Sequence, residues 1–514
     1  MAEREWREAS DMRQSAITLA IILAAAAMLR FVGIGSGIPF NIGVDEPEIM
    51  DRAIRMMRTG DFNPHFFDYP GLYFYVQLAV ACARFIIGAT AGEWTSLDQI
   101  NAADFYLWGR AVTAFLGTLT VFLVYQIGMR WGTRYAALAA GLMAVMPLHV
   151  RESHYVLTDV PLTFFVTLAL LLTLRAAERE RAIDFAWAGA AAGLAAATKY
   201  PGALSLLMPV IAAWMTLGAK PSRIVASLAV VAAAAAAFLL AAPYTVLDLP
   251  AFLNGYAHLA GYYSPKPLAE PAAVTYFKHL TRSMAWPAFL LLLVGIGLGA
   301  ARSVRGPGRV RWTVTLVFPI AYYYFLSGQT LVFGRYLLPL LPSVCLLAAA
   351  GCVSGVSLLR RFDIPRTART AIIAAITIAA VLPPAWASLV FMRTLTRTST
   401  VELAHAWMLD NIPRGSSVVI ETQALLTGKA FNAKNVPQLV QDYRAPQEYA
   451  DYVQSGVEYI VASSQKYGDA MQTPHKHPEL YAAYMRLFEQ SHEIARFTPD
   501  AEHPGPELRI YKLK

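Results

Sequence analysis

The chain reads as an all-α polytopic membrane protein with a small soluble α/β domain at its C-terminus. Three observations predict this. Of the 514 residues, 56% are apolar, and the mean hydropathy is +0.42. Apolar runs of roughly 17 to 25 residues, the length a helix needs to cross the hydrocarbon core, recur from Ala16 to about residue 390. Past residue 394 the alanine-rich runs give way to a mixed, charged sequence.

The first span is Ala16 to Val32. Further spans fall near 106–128, 135–150, 157–174, 184–198, 201–217, 223–242, 285–300, 312–327, 336–356 and 370–390, which makes about eleven. The alanine run 231–237 needs no reading beyond a membrane helix. Segment 69–87 is apolar but carries Gln77 and Arg84. Charge parity assigns it. If it does not cross, the basic loops 129–134, 175–181, 220–223, 301–311 and 359–369 all share the side of the N-terminus. That is the cytoplasmic side by the positive-inside bias. If it crosses, all five move outside. The segment is therefore read as an outer juxtamembrane or re-entrant helix. The outer side then holds loops of about 33–105 and 243–284, the turn Arg151 to Asp159, and everything after about 391.

The expected domains are 1–394, transmembrane, and 395–514, extracytoplasmic. In the tail, 401–409, 446–454 and 477–490 read as helices, and 417–421, 457–462 and 507–512 as strands. This alternation predicts an α/β domain. It has no phosphate-loop or dinucleotide fingerprint.

The net charge of +8 gathers in short loops, so it speaks for topology and not for a nucleic-acid partner. Cys82, Cys345 and Cys352 lie in apolar segments, which leaves no disulfide framework and no Cys/His metal pattern. The N-terminus, with its mixed charges and Arg30 interrupting the apolar run, does not read as a cleavable signal. No internal repeat of the kind found in transporters is evident.

Four constellations carry chemistry. Asp45 and Glu46 follow the first span. Asp45-x-x-Glu48 matches a capping box with Pro47 in the first turn, and Ile49, Ala53, Met56 and Met57 form an apolar stripe. A helix cap and a catalytic base are both open readings of Asp45, and they are compatible. The second is Arg151-Glu-Ser-His-Tyr-Val-Leu-Thr-Asp159. The helix dipole favours an acid such as Asp159 at a helix start. It does not account for Arg151 and His154 at the same level, and polar residues at membrane depth point to function. The third is a set of outer cations, Arg110, Lys199 and Arg335, suited to phosphate oxygens and open singly to a snorkelling role. The fourth is loop 243–284, with Tyr256, His258, Tyr262, Tyr263 and Lys266. Its aromatics fit sugar faces and an interfacial belt equally. Together these describe one chemistry: a carboxylate activates an acceptor, cations stabilise a departing lipid phosphate, and an apolar groove holds its tail. No second nucleophile is visible, so the displacement is single and inverting.

Six segments carry a resemblance to a known family. They are Gly43-Val-Asp-Glu46, Asp68-Tyr-Pro-Gly-Leu-Tyr73, Gly109-Arg-Ala-Val-Thr-Ala-Phe-Leu-Gly117, Arg151 to Phe165, Thr198-Lys-Tyr-Pro-Gly202 and Gly334-Arg-Tyr-Leu-Leu-Pro339. In their order and spacing, over roughly 15–390, the chain resembles the GT-C membrane glycosyltransferases. More specifically, it looks like the bacterial protein O-mannosyltransferase and aminoarabinose-transferase-like group (glycosyltransferase family 39-like). The resemblance implies a multi-pass enzyme of the bacterial cytoplasmic (inner) membrane, with its site and tail facing the periplasm or exterior. It implies a polyprenyl-phosphate sugar donor of the undecaprenyl type and a lipid, glycan or protein acceptor. Asp45, Glu46 and Asp159 match acidic positions taken as catalytic, and Arg110 and Arg335 match positions linked to donor phosphate. Arg151, His154, Lys199, Tyr200, Tyr69 and His258 complete the expected substrate contacts. The Lys-Pro-Pro or His-Pro-Pro usual in the family is Asp68-Tyr-Pro-Gly here, a departure on the acceptor side. No cofactor is implied with certainty, and metal use varies in the superfamily, so a divalent cation shared by Asp45 and Asp159 stays open. A lipid-linked-sugar flippase and a membrane scaffold with a partner-binding tail are the competing functions.

Overall fold

The computed structural model describes residues 2–39, 43, 45–218, 220–262, 270–306, 308–359, 364–421, 430–435, 446 and 449–513. Val44, Tyr263, Lys266, part of the loop 359–369 and residues 447–448 of the expected helix 446–454 lie outside the described residues. The chain forms two compact units. The first is Met1–Ile34 with Glu48–Phe391, and the second is Gly35–Pro47 with Met392–Lys514.

The first unit is helical, as expected. It contains α1 (Ala2–Phe31), α2 (Glu46–Thr59), α3 (Leu72–Thr90), α4 (Ala103–Gly128), α5 (Thr133–Val145), α6 (Pro147–Glu152), α7 (Asp159–Arg179) and α8 (Ala182–Thr198). It continues through α9 (Leu207–Thr216), α10 (Lys220–Ala241), α11 (Tyr244–Leu247), α12 (Leu249–Tyr262), α13 (Ala272–Val304), α14 (Arg309–Ser327), α15 (Leu341–Leu359) and α16 (Arg366–Leu395). Among the described residues, eight helical stretches are long and apolar enough to cross a membrane, and Leu72–Thr90 is one of them. Length alone therefore does not separate α3 from the spans; its juxtamembrane reading rests on charge parity. Three shorter apolar stretches, Thr133–Val145, Ala182–Thr198 and Tyr200–Thr216, coincide with expected spans.

Small residues let the helices approach closely. Gly189 and Gly193 of α8 lie against α10, where a Cβ at Gly193 would meet the Ala234 carbonyl at 2.2 Å. Without a hydrophobic drive between helices in lipid, such backbone contact is what holds them.

Prolines break expected spans at functional places. The run 135–150 is two helices, because Met146 is extended ahead of Pro147. That break frees carbonyls at the end of α5. Arg30, the residue that interrupts the first apolar run, satisfies them: Nη1 donates to Ala144 O at 2.9 Å and Nη2 to Met143 O at 3.1 Å. Its side chain is fully buried. Arg30→Met is expected to take the side-chain donor from the Ala144 carbonyl, at about 1–3 kcal/mol, and to leave the Met143 carbonyl with the long bond from Met146 N–H at 3.5 Å. The purified protein should melt at a clearly lower temperature; an unchanged melting temperature would contradict this role.

In the second unit, a capping box at Ser399 and Glu402 starts α17 (Thr400–Asn411). The remaining helices are α18 (Tyr449–Gln454), α19 (Ser464–Gln472) and α20 (Pro478–Gln490). Strands β1 (Ser417–Ile420), β2 (Asn432–Asn435), β3 (Tyr459–Ser463), β4 (His492–Phe497) and β5 (Leu508–Lys512) form one sheet in the order β2-β1-β3-β5-β4. The first three are parallel and the last two antiparallel. Alternation along β1 and β3 sends Val418, Ile420 and Val461 to the face covered by Val401 and Met408 of α17. Val419, Ile460 and Ala462 go to the face covered by Leu480, Tyr484 and Leu487 of α20.

Glu421, just after β1, is buried beneath α20. It accepts bonds from Tyr484 Oη at 2.8 Å and Ser463 N–H at 3.1 Å. Burial pushes its carboxyl from 4.5 up to about 7, against those two bonds. A folded-state value above the unfolded one means that stability is present below about 4.5 and lost as pH rises to about 7. The change is on the order of 3 kcal/mol. Amide exchange of β1 and β3 in the full-length protein should quicken over that window, and Glu421→Gln should flatten the response. Equal pH dependence in the variant would contradict this.

Candidate functional site

Asp159 is the first residue of α7, and its side chain is buried, with 3% of the residue exposed. Lys199 caps the end of α8 in extended backbone, where Pro201 opens the 3-10 segment Tyr200–Leu206. Arg335 lies in a second 3-10 segment, Gly334–Leu340, ahead of α15. These three places, about 40 and 136 residues apart in sequence, converge. Lys199 Nζ donates to Asp159 Oδ1 at 2.7 Å, and Arg335 Nε stands 3.8 Å from Oδ2. The ammonium of Lys199 lies 4.2 Å over the Tyr336 ring and 5.9 Å from the Tyr69 ring centre. The guanidinium of Arg335 lies 5.0 Å over Phe333. Aromatic faces thus hold both cations without cancelling their charge.

Glu152, at the end of α6, adds a second buried carboxylate. Its Oε1 accepts from Arg151 Nε at 2.7 Å and Nη2 at 2.5 Å. Burial pushes the Glu152 carboxyl up, Arg151 and Arg335 draw it down, and Asp159 raises it.

The other expected residues take different positions. Arg110, 1% exposed, donates to the Ile34 carbonyl at 3.0 Å and lies 5.5 Å over Tyr155. Both ring nitrogens of His154 face carbonyls, Val150 O at 2.9 Å and Val32 O at 3.1 Å, and burial pushes the ring's pKa down. Tyr200 Oη donates to the Phe67 carbonyl at 2.8 Å, and its ring meets Tyr256 edge-on at 5.6 Å. His258 is exposed on α12 and lowers the carboxyl of Asp68, which burial raises.

Asp45 and Glu46, the latter the first residue of α2, fall in the second compact unit. Asp45 is half-buried; Glu46 is fully buried, and its Oε2 accepts from Gly43 N–H at 2.6 Å. Along α2, Ile49, Ala53 and Met56 are buried as the expected stripe.

Sequence reasoning overlooked Glu152, Phe333 and Tyr336 as parts of the site. Glu152 stood inside the quoted motif, and Phe333 and Tyr336 flank Arg335; adjacency to named cations was the available signal. Among the described residues no group of three His, Cys, Asp or Glu could hold a metal ion. Asp159 faces two cations, a setting that suits an anion and disfavours a divalent metal.

Residues 88–263, about a third of the chain, match the family model described as dolichyl-phosphate-mannose-protein mannosyltransferase. The expected likeness to protein O-mannosyltransferases is borne out over this stretch, and with it the expectation of a glycosyltransferase. No curated protein sequence matches the chain significantly. Among solved structures, the Archaeoglobus fulgidus oligosaccharyltransferase in its apo form aligns with a TM-score of 0.57 at 14% identity, over 93% of this chain and 73% of that one. The same protein, AglB, in complex with an inhibitory peptide and a dolichol-phosphate aligns at 0.56 and 14% identity, over 96% and 74%. ArnT from Cupriavidus metallidurans in the apo state aligns at 0.55 and 14% identity, over 96% and 97%. ArnT bound to undecaprenyl phosphate aligns at 0.50 and 15% identity, over the same shares. At these identities the structures speak for the shared fold.

Proposed function

We propose that this enzyme transfers a sugar from a polyprenyl-phosphate donor, of the undecaprenyl-phosphate type, to an extracytoplasmic acceptor on a glycolipid, glycan or protein. The observation that carries this reading is the cation cluster at the buried start of α7. Lys199 and Arg335 flank Asp159, and Arg151 flanks Glu152. Three cations gather about two carboxylates here, a setting that suits the negative charge of a phosphodiester. The kinship with lipid-phosphate-dependent transferases and the polyprenyl phosphates bound by AglB and ArnT support the same donor class.

In the reaction, the acceptor oxygen bonds to the anomeric carbon as the bond from that carbon to the phosphate oxygen breaks. The bonding pair stays on the phosphate, whose charge grows from one to two. Lys199, Arg335 and Arg151 stabilise that growing charge, fixed in place before the reaction begins. Asp45 is the proposed base that takes the acceptor proton, on its place after the first span and its match to the family's acidic position. Glu46 secures the local turn through Gly43. One displacement from the face opposite the phosphate inverts the anomeric centre. Charge parity of the loops supports a site and tail on the face opposite the N-terminus, read as the periplasmic or exterior side of a cytoplasmic membrane. The test is transfer of label from a polyprenyl-phosphate sugar by membranes holding the protein, with excess undecaprenyl phosphate added. Inhibition by this product is expected; uninhibited transfer would speak against the proposed phosphate site.

A further inference from the structure

Arg151 and Glu152 are consecutive residues, and that makes their ion pair unusual. Neighbouring side chains on a helix point about 100° apart, so Arg151 must fold back across the end of α6 to place Nε and Nη2 on one oxygen, at 2.7 and 2.5 Å. A pair between neighbours fastens α6 to no other element, so it is not a tertiary clasp. Yet the Glu152 carboxylate is carried into the interior, 4% exposed, where an ion is costly to place. The Arg151 side chain remains 49% exposed, and among the described residues its Nη1 has no partner. The pair borders the phosphate cluster. Glu152 lies within electrostatic reach of Arg335 and Asp159. Arg151 acts on His279 of α13, and a Cβ at Gly334, beside Arg335, would meet His279 Nδ1 at 3.4 Å.

We infer that Glu152 is a positioning residue: it grips one edge of the Arg151 guanidinium so that the open edge faces the donor phosphate gathered by Lys199 and Arg335. A guanidinium gripped on two nitrogens keeps a fixed plane, and a fixed plane is what pairs well with phosphate oxygens. The inference rests on the reading of the Lys199–Asp159–Arg335 cluster as the phosphate site, and goes beyond it in assigning Glu152 a task.

The test uses full-length purified protein and two readouts: binding of undecaprenyl phosphate alone, and donor kinetics. Arg151→Gln should weaken binding about tenfold. Glu152→Gln should weaken it severalfold and raise the donor KM, with kcat little changed. The double variant should bind no worse than Arg151→Gln, because Glu152 acts only through Arg151. Arg151→Lys keeps Glu152 compensated but loses the planar fork, so it should show the same KM rise even if Glu152→Gln fails to fold. Additive losses in the double variant, or equal falls in kcat and thermal stability, would make Glu152 a structural residue and overturn the inference. Lys199→Gln separates the two levels. If it weakens binding while the Arg151 and Glu152 variants bind as wild type, only the positioning role falls. If Lys199→Gln also binds as wild type, the phosphate reading falls with it.

Discussion

Lys199→Gln is expected to lower transfer by about a hundredfold or more. Two losses act in the same direction. The variant removes an ammonium poised for the phosphate, where a hydrogen bond to a charged group contributes about 1.5–3 kcal/mol. It also leaves the buried Asp159 carboxylate with Arg335 at 3.8 Å as its remaining cation, so uncompensated negative charge faces an anionic donor. Arg335→Gln should cost less, about tenfold, since Asp159 keeps its 2.7 Å bond to Lys199. Steady-state kinetics and polyprenyl-phosphate binding on the two variants check the ranking. The reverse order would place the phosphate against Arg335 and reduce Lys199 to a partner of Asp159.

Asp45→Asn is expected to lower kcat by about 10²–10⁴-fold, the usual contribution of a general base. Asparagine keeps the shape and any helix-cap acceptor oxygen, but it cannot take the acceptor proton. Donor binding should therefore stay near wild type, the opposite of the Lys199 pattern. Loss of folding with no separable kinetic effect would instead favour the cap reading of Asp45. Activity near wild type would remove the residue from the chemistry.

The fold was legible where one physical signal dominates. Apolar run length marked the spans, and composition marked the tail. Breaks inside spans were harder to see. Pro147 splits one run, and the unwound turns at Tyr200–Leu206 and Gly334–Leu340 place Lys199 and Arg335 at helix starts. Hydropathy averages over such breaks. In the tail, the apolar strands β1, β3 and β5 stood out, whereas β2, Asn-Ala-Lys-Asn, is too polar and β4, His-Glu-Ile-Ala-Arg-Phe, too charged. Both are edge strands, paired on one side only, where a polar sequence carries little penalty.

Part of the site was legible too. Arg151 was singled out as a charge at membrane depth, Asp159 as an acid at a helix start, and Lys199 and Arg335 as outer cations suited to phosphate. Which carboxylate meets which cation could not be read, since Asp159 and Lys199 join only when α7 and α8 pack. Glu152 stood in the same motif, but its burial comes from tertiary packing and cannot be read from the sequence. Arg30 looked like a flaw in the first span; the broken end of α5 supplies its purpose.

The most direct test of lipid-phosphate sugar transfer follows radiolabelled polyprenyl-phosphate sugars into lipid, glycan and protein fractions, in membranes holding wild type, Lys199→Gln or Asp45→Asn. The account predicts label in one acceptor fraction with wild type and near-background label with either variant. Wild-type levels of transfer by Lys199→Gln would contradict it, as would movement of intact carrier across the membrane with no covalent transfer by folded wild type.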